Sequence, residues 1–312
     1  MKLTWLQDLD FMSWQGGAEF TDRSHFIAGL RRGHDITLIT PSTPLPEMAF
    51  APADAVIISN AVSFNMQVFQ RFQEMGRPLI WFFHDYFPIC KYRLFYPMAE
   101  KCRACYLRER WLPLLLSARL LIWLSPLHRS SWLSLVPELE KVPFALIPSP
   151  VSELDFYDLR LPRRGVITVN SLAPFKGRDN VLKWISEHPD EPVTVVGAEG
   201  GPLPPNCTYV GLVPYHQLNE LYNRHQSLLH LPSSPMPFDR TVAEAYLAGC
   251  HIISNELVGA LSWPFFRDEP WAGPRRSLVA MKLSEAPNRF WEAVENALRS
   301  QLRPPDLPVM AQ

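Results

Sequence analysis

The sequence lacks a surplus of charge of either sign. Its 30 lysines and arginines are offset by 31 aspartates and glutamates, so the formal net charge is -1. A protein that binds nucleic acid through its overall charge needs a basic excess, which is missing here. Internal repeats at the periods of solenoid proteins are missing too. These absences favour ordinary globular domains over a repeat array or a basic nucleic-acid-binding module.

Long apolar runs are also scarce. The best candidate, residues 111–127, is shorter than the roughly 20 residues of a membrane span and is interrupted by Arg119 and two prolines. At the start of the chain, Asp8 and Asp10 fall where a signal peptide would be apolar. We therefore expect no spanning helix and no secretion signal.

The cysteines do not form an even set. Five in a chain of this length are not the paired framework of a small secreted protein, so we expect a reducing, cytoplasmic location. Cys90, Cys102 and Cys105 have C-x11-C-x2-C spacing, which supplies three of the four ligands of a structural zinc site. His84 as the fourth would conflict with the role expected for it below. We predict metal-free thiols, with bound zinc as the alternative.

Apolar β runs that alternate with helical stretches are abundant. The 312 residues suit two domains of about 150 residues each. Near-continuous apolar strands separated by helices are typical of parallel sheets covered on both faces. The predicted strands form two series, residues 3–6, 35–39, 55–59, 79–83, 121–124 and 145–147, and then 166–170, 192–196, 208–210, 227–231 and 251–254.

Two such series predict two doubly wound α/β domains, residues 1–150 and 151–312. The boundary falls in the proline-rich, polar stretch 147–165, which lacks clear periodicity. The last predicted helix, residues 285–302, is a candidate to pack back on the first domain.

Two motifs in the first half follow predicted strands. Gly16 and Gly17 let the backbone turn tightly and approach a ligand, although a plain structural turn explains them equally well. His84 and Asp85 follow the apolar run PLIWFF, where an imidazole and a carboxylate suit a polar substrate or proton transfer. The alternative for His84 is a histidine that bonds a neighbouring carbonyl at the strand end.

In the second half, the segment VITVNSLAPFKGRDN places Lys176 beside a helix start at Gly177. A cationic side chain and free backbone N–H groups together suit a phosphate. The segment has neither the glycine spacing of a Walker loop nor that of a dinucleotide fingerprint. Lys176 is therefore a candidate phosphate ligand outside those two classes, or else ordinary solvated surface.

The stretch LPSSPMPFDRTVAEAYLAGCHIISN passes from a strand end through three prolines into a helix. Asp239 or Thr241 can cap that helix, and the free amides of residues 238–241 can face a ligand. Glu244 comes three residues after Thr241, so a capping box is one interpretation of it and a ligand contact is the other.

These stretches resemble, in order, the retaining GT-B glycosyltransferases of the glycogen-synthase-like family 4. The resemblance rests on GGAE, HD after a strand, NSLAPFKG and PSSPMPFDRTVAEAYLAGCHIISN, and it spans residues 16–254. It implies two Rossmann-like domains that face each other across a cleft, with the acceptor on the first and a nucleotide-sugar on the second. It also implies that donor binding needs no metal and no other cofactor.

The resemblance also assigns roles. The leaving diphosphate helps to deprotonate the acceptor, Lys176 and the amides of residues 238–241 stabilise that diphosphate, Glu244 holds the ribose hydroxyls, and His84 orients the sugar. The candidate catalytic residues are His84, Asp85, Lys176 and Glu244. The candidate donor-binding residues are Gly16, Gly17, Ser171, Met236, Phe238, Asp239, Arg240, Thr241 and Glu244.

Three positions depart from the family pattern. Ser171 stands where the family has an arginine for the diphosphate, Met236 where it has a glutamate near the sugar, and Asp239 where it has a glycine. Arg178 or Arg240 is a candidate for the missing positive charge. The departures leave two alternatives to a glycosyltransferase, namely a non-catalytic nucleotide-sugar-binding scaffold and a nucleotide-sugar epimerase.

The acceptor is open among a glycan, a lipid-linked sugar, a protein and a modified nucleic acid. Residues 91–110 contain six basic and two acidic residues, and a leucine-rich run follows them up to residue 124. A basic, aromatic segment of this kind suits an anionic acceptor or peripheral contact with a membrane surface, and a solvated charged face explains it equally well.

Overall fold

The computed structural model describes residues 1–13, 16–43, 53–90, 93, 106–170, 172–198, 201–267 and 273–299. The first series of elements is β1 (Lys2–Leu6), α1 (Gly17–Arg31), β2 (Asp35–Ile39), β3 (Ala55–Ile58), α2 (Met66–Glu74), β4 (Leu79–Phe82), α3 (Tyr106–Leu116), β5 (Leu120–Trp123), α4 (Pro126–Leu135) and β6 (Phe144–Leu146). Its six strands form one parallel sheet in the order β2-β1-β3-β4-β5-β6.

The second series is β7 (Val166–Val169), α5 (Arg178–Glu187), β8 (Val193–Val196), β9 (Cys207–Gly211), α6 (Leu218–Arg224), β10 (Ser227–His230), α7 (Arg240–Leu247), β11 (His251–Ser254), α8 (Pro264–Arg267), α9 (Gly273–Ser284) and α10 (Ala286–Arg299). Its five strands form a second parallel sheet in the order β11-β10-β7-β8-β9. Short 3-10 turns lie between these elements, of which Pro174–Lys176 and Tyr215–Gln217 matter for the site.

The chain divides into two compact units, and each unit is made of more than one segment of the sequence. Unit 1 contains Met1–Leu124, Arg129–Ile147 and the C-terminal segment from Ala286, whereas unit 2 contains Ser125–His128 and Pro148–Glu285. Each unit has its own sheet, so each can bury an apolar core of its own.

The core of unit 1 is rich in large aromatic side chains. Strands β3, β4 and β5 are buried along their whole length, as expected for central strands of a parallel sheet. Helix α10 completes this core, since Phe290 stacks on Trp5 with ring centroids 5.7 Å apart and Trp291 donates its indole N–H to the carbonyl of His25. The C-terminal helix is therefore part of the first unit's interior.

The core of unit 2 is smaller and mostly aliphatic. Val181 and Ile185 on α5 pack against β7 and β8, and Leu229 on β10 joins the same cluster. Around α7, the buried face includes Val242 and Tyr246, and the ring of Tyr246 packs edge-on against Phe266. This packing fixes the strand ends and helix starts from which the candidate site is built.

The predicted α/β class and the two parallel sheets are confirmed, and each predicted strand is found within about two residues of its expected bounds. The leucine-rich run up to residue 124 lies mostly in the core of unit 1, where Leu115, Leu121 and Trp123 are fully buried. These side chains therefore present no apolar surface to a membrane. In the described part of the chain, no helix is both long and apolar enough to span a bilayer.

Candidate functional site

The sheet of unit 2 has a topological switch point between β7 and β10. These strands are neighbours, and the chain continues from β7 to β8 on one side and from β10 to β11 on the other. In open α/β sheets, ligands bind in the crevice outside the carboxyl ends of the strands at this point. The segments that leave β7 and β10 carry the two predicted phosphate-binding motifs, so the topology brings them to one edge.

A close backbone approach joins the two segments. Gly177 has φ 86°, and a Cβ at this position would lie 1.7 Å from the carbonyl oxygen of Leu231, so only glycine fits. Ser233 Oγ donates to the carbonyl of Pro174 at 3.0 Å, which ties the following loop to the turn that contains Lys176. The predicted neighbourhood of Lys176 and the loop before α7 is therefore present in unit 2.

The loop before α7 is fixed on both sides. The Met236 N–H donates to the carbonyl of Leu257 at 2.8 Å, and the Phe238 carbonyl accepts from the Ala260 N–H at 2.6 Å. Ser125 Oγ donates to the Pro237 carbonyl at 2.6 Å. A backbone held in this way is suited to present its N–H groups to a ligand at low entropic cost.

Asp239 occupies the N-cap position of α7 in the left-handed region, with φ 74° and ψ 83°, and its side chain makes no capping hydrogen bond. The carboxylate pairs instead with His230 at the end of β10, and both side chains are buried. Burial raises the pKa of Asp239, but His230 and, further away, Lys176 lower it, and the net pKa falls below its ordinary value. Of the two predicted caps, Asp239 does not cap through its side chain because His230 takes the carboxylate, and Thr241 lies inside α7.

Glu244 is buried and has two charge-bearing or polar partners. Its Oε1 accepts from the Tyr215 hydroxyl at 2.8 Å and lies 3.3 Å from Arg240 Nε. Burial raises the pKa of Glu244, and the neighbouring Arg240 and Tyr215 offset this only in part. The capping-box interpretation is wrong because α7 begins at Arg240, which makes Glu244 its fifth residue rather than its third.

Arg240 is held by four groups of unit 2. Besides Glu244, its guanidinium donates to the Tyr215 hydroxyl at 3.0 Å, to Ser149 Oγ at 3.1 Å and to the Pro150 carbonyl. This engagement argues against Arg240 as a replacement for the missing phosphate-binding arginine. Arg178, the first residue of α5, stays a candidate for that role, and Ser171 lies outside the described residues.

A buried polar cluster follows the strands of unit 1. Asp22 on α1 is fully buried, its Oδ2 accepts from Ser59 Oγ at 2.6 Å, and its Oδ1 lies 2.8 Å from His84 Nε2. Burial lowers the pKa of His84, but the Asp22 carboxylate raises it, and the net pKa lies above its ordinary value. The cluster therefore makes His84 easier to protonate than a free imidazole.

Asp22 is not among the site residues predicted from the sequence. The signal was available, because Glu19, Asp22 and His25 recur every three residues and lie on the buried face of α1. Polar groups on a buried helix face need partners, so this spacing indicates a polar cluster beneath the helix. A helix that packs on a sheet usually buries an apolar face, whereas the buried residues of α1 are mostly polar.

The other predicted residues of unit 1 have local partners. Asp85 accepts from the Phe87 N–H at 2.8 Å and pairs with Arg93 Nε at 2.5 Å, so it organises the loop after β4. Gly16 is the N-cap of α1, and a Cβ there would lie 2.2 Å from the Glu19 carboxylate. Because Glu19 ends in a flexible carboxylate that can move, this contact does not by itself require glycine at position 16, and Gly17 begins the helix.

No protein-family model matches the sequence, and none of the curated proteins does. Solved structures do match. Sucrose-phosphate synthase from Thermosynechococcus elongatus has a TM-score of 0.67 at 14% identity, over 95% of this chain and 97% of that chain. Anabaena HepE in complex with UDP and glucose has a TM-score of 0.57 at 16% identity, over 96% and 93%. An α-glucosyltransferase in complex with UDP and a 13-mer DNA containing an HMU base has a TM-score of 0.58 at 10% identity, over 96% and 100%.

The chain has the GT-B fold. The predicted fold class is confirmed by these structures and by the two parallel sheets. Within this GT-B chain, the switch point of unit 2 gathers Lys176, the fixed loop that contains Met236, and the first turns of α7 with Glu244. Of the cysteine trio, Cys90 is half-buried and not disulfide-bonded, whereas Cys102 and Cys105 lie outside the described residues.

Proposed function

We propose that the protein is a retaining glycosyltransferase of family 4 that transfers a sugar from a nucleotide-sugar donor. The observation that carries the proposal is the meeting, at the switch point of unit 2, of the Lys176 turn, a fixed loop and a buried glutamate. A cation, backbone N–H groups and a carboxylate match the diphosphate and ribose of such a donor. The UDP in solved structures of the same fold supports this choice of ligand class.

In this proposal, Lys176 and the amides at the start of α7 bind the diphosphate and stabilise its charge as it leaves. Glu244 accepts hydrogen bonds from the ribose hydroxyls, with Tyr215 and Arg240 holding its other side. Met236 faces the sugar, and His84 orients the sugar. The leaving diphosphate takes the acceptor proton, so no metal is required.

A non-catalytic nucleotide-sugar-binding protein is the second candidate. It is favoured by the engagement of Arg240 with Glu244 and Tyr215 and by a buried carboxylate at Asp239, since both reduce the positive charge available to a diphosphate. Release of nucleoside diphosphate from a bound donor separates the two candidates. The second predicts binding without release in the presence of any acceptor.

The test begins with thermal shifts against UDP-, GDP-, ADP- and TDP-sugars. A ligand at about one hundred times its dissociation constant should add roughly 2.7 kcal/mol of stability. The binding donor is then incubated with glycan, lipid-linked sugar, protein and modified nucleic-acid acceptors, and the anomeric configuration of the product is read from its proton coupling. A product with inverted configuration would refute retention. Donor binding should be unchanged when EDTA is added. If no donor binds, the proposal as a whole is refuted.

A further inference from the structure

Asp239 is a charged residue in a place that favours glycine. Its backbone has φ 74°, which lies in the left-handed region. Most residues with a side chain are strained there, and aspartate and asparagine tolerate it better than the others. Its own N–H belongs to the group of amides at the start of α7 to which the diphosphate is assigned. A negative side chain therefore stands within the proposed anion site.

The Asp239 carboxylate has a buried partner in unit 2. His230, at the end of β10, is buried with 1% of its side chain exposed and pairs with Asp239, while Lys176 contributes a weaker attraction that lowers the aspartate pKa. The carboxylate of Glu244 and the hydroxyl of Tyr222 are also within electrostatic reach of Asp239. A buried carboxylate–imidazole contact on a left-handed backbone is a weak source of stability, so a role in the ligand site accounts for it better.

The ligands of this site differ in charge. The diphosphate of a nucleotide-sugar is esterified at both ends, whereas a released nucleoside diphosphate has a terminal phosphate whose second ionisation has a pKa of about 6. At neutral pH the product therefore carries roughly one more negative charge than the donor. A fixed carboxylate repels the more highly charged ligand more strongly.

We propose that Asp239 is a specificity-determining residue that selects the intact nucleotide-sugar over the released nucleoside diphosphate. The inference rests on the proposed function, since it needs the diphosphate at the start of α7. Repulsion from Asp239 weakens the hold on the product as the sugar departs and the terminal phosphate gains its charge. The positive charge of Lys176 offsets the repulsion between Asp239 and the donor. It offsets only part of the stronger repulsion between Asp239 and the product.

The experiment compares Asp239→Asn with the wild-type protein by calorimetry at pH 7.5. The probes are the sugar nucleotide that gives the largest thermal shift and the nucleoside diphosphate derived from it. Asparagine keeps the shape and tolerates the left-handed backbone, so the protein should fold. We expect the diphosphate to bind about tenfold more tightly to the variant and the sugar nucleotide at most about threefold more tightly, the order expected for loss of one partly screened unit charge.

Two further variants secure the interpretation. Asp239→Gly removes both the charge and the side chain from a backbone that suits glycine, and it should shift the ratio of the two affinities in the same direction. Asp190→Asn makes the same charge change at an exposed position between α5 and β8, and it should leave the ratio unchanged.

Three outcomes would overturn the inference. An unchanged affinity ratio in both Asp239 variants, with normal binding, would show that the pair is structural and would leave the proposed function intact. The same shift in Asp190→Asn would show a general charge effect. Failure of every sugar nucleotide to bind the wild-type protein would instead refute the proposed function, and the inference with it.

Discussion

Replacement of Glu244 by glutamine separates a ligand role from a structural one. The carboxylate bonds Tyr215 and Arg240 through Oε1, and glutamine keeps an oxygen that can accept from the tyrosine hydroxyl. The variant therefore preserves the shape and one hydrogen bond, and it removes only the charge. Its effects on folding and on binding are expected to differ in size.

The expected change in stability is small. Weakening of the contact with Arg240 costs on the order of 1 kcal/mol, the difference between a charged and a neutral hydrogen bond. The opposite contribution comes from burial, which raises the pKa of Glu244 and thus disfavours the carboxylate in the folded state. We expect the unfolding free energy to change by no more than about 1 kcal/mol, or about 2–4 °C in melting temperature.

The expected change in binding is larger. A ribose supplies two hydroxyl donors, and glutamine offers one strong acceptor oxygen in place of two. Nucleotide affinity should fall by roughly 1–3 kcal/mol, which is about 5- to 150-fold. Calorimetry with the nucleotide selected by thermal shift measures this, and a nucleotide with blocked ribose hydroxyls should lose much less.

The pH dependence of stability gives an independent check. Because the folded pKa of Glu244 is raised above 4.5, its contribution is fully present below that pH and is lost as the pH rises through the folded pKa. Glutamine does not titrate, so the variant should gain stability relative to wild type between acidic and neutral pH. Early melting at pH 7 together with normal nucleotide binding would refute the ribose assignment.

Three other substitutions probe the same unit. Lys176→Ala should weaken donor binding by about 1.5–3 kcal/mol in calorimetry, while Lys183→Ala, whose side chain is 76% exposed, is the matched control. Met236→Glu should change which sugar is accepted, or its rate, and leave nucleoside diphosphate affinity unchanged; an identical donor profile would show that Met236 only packs. Gly259→Ala would place a Cβ 2.3 Å from the Pro237 carbonyl oxygen, so denaturant unfolding should show a loss of at least about 1 kcal/mol; wild-type stability would contradict this.

The sheets could be predicted because buried parallel strands are continuous apolar runs bounded by polar residues. Residues 79–83 were expected as a strand, for example, and the structure has Leu79–Phe82. The two series of strands indicated two sheets for the same reason. The return of the last helix to the first domain was only a candidate from the sequence, since the packing of α10 on α1 depends on contacts between residues more than 250 positions apart, such as Trp291 and His25.

The site was predictable where a motif is local. Lys176 and the loop before α7 were each recognised within one segment, and β topology then brings them together. The partners of Glu244 and His84 were not predictable, because Tyr215 lies 29 residues from Glu244 and Asp22 lies 62 residues from His84. The capping-box alternative failed because Asp239 holds the N-cap position and α7 begins two residues earlier than a cap at Thr241 requires.

The placement of α10 has a consequence for how the chain folds during synthesis. Unit 1 needs Phe290 and Trp291 to cover Trp5 and His25, and these residues emerge from the ribosome only after all of unit 2. Unit 2 is inserted in the sequence of unit 1, and all of its strands precede α10, the C-terminal helix of unit 1. Unit 2 can therefore reach its native core first, while the aromatic surface of unit 1 stays uncovered until α10 has been synthesised. Exposed apolar surface of this kind favours aggregation of a nascent chain, which is the hazard that chaperones counter.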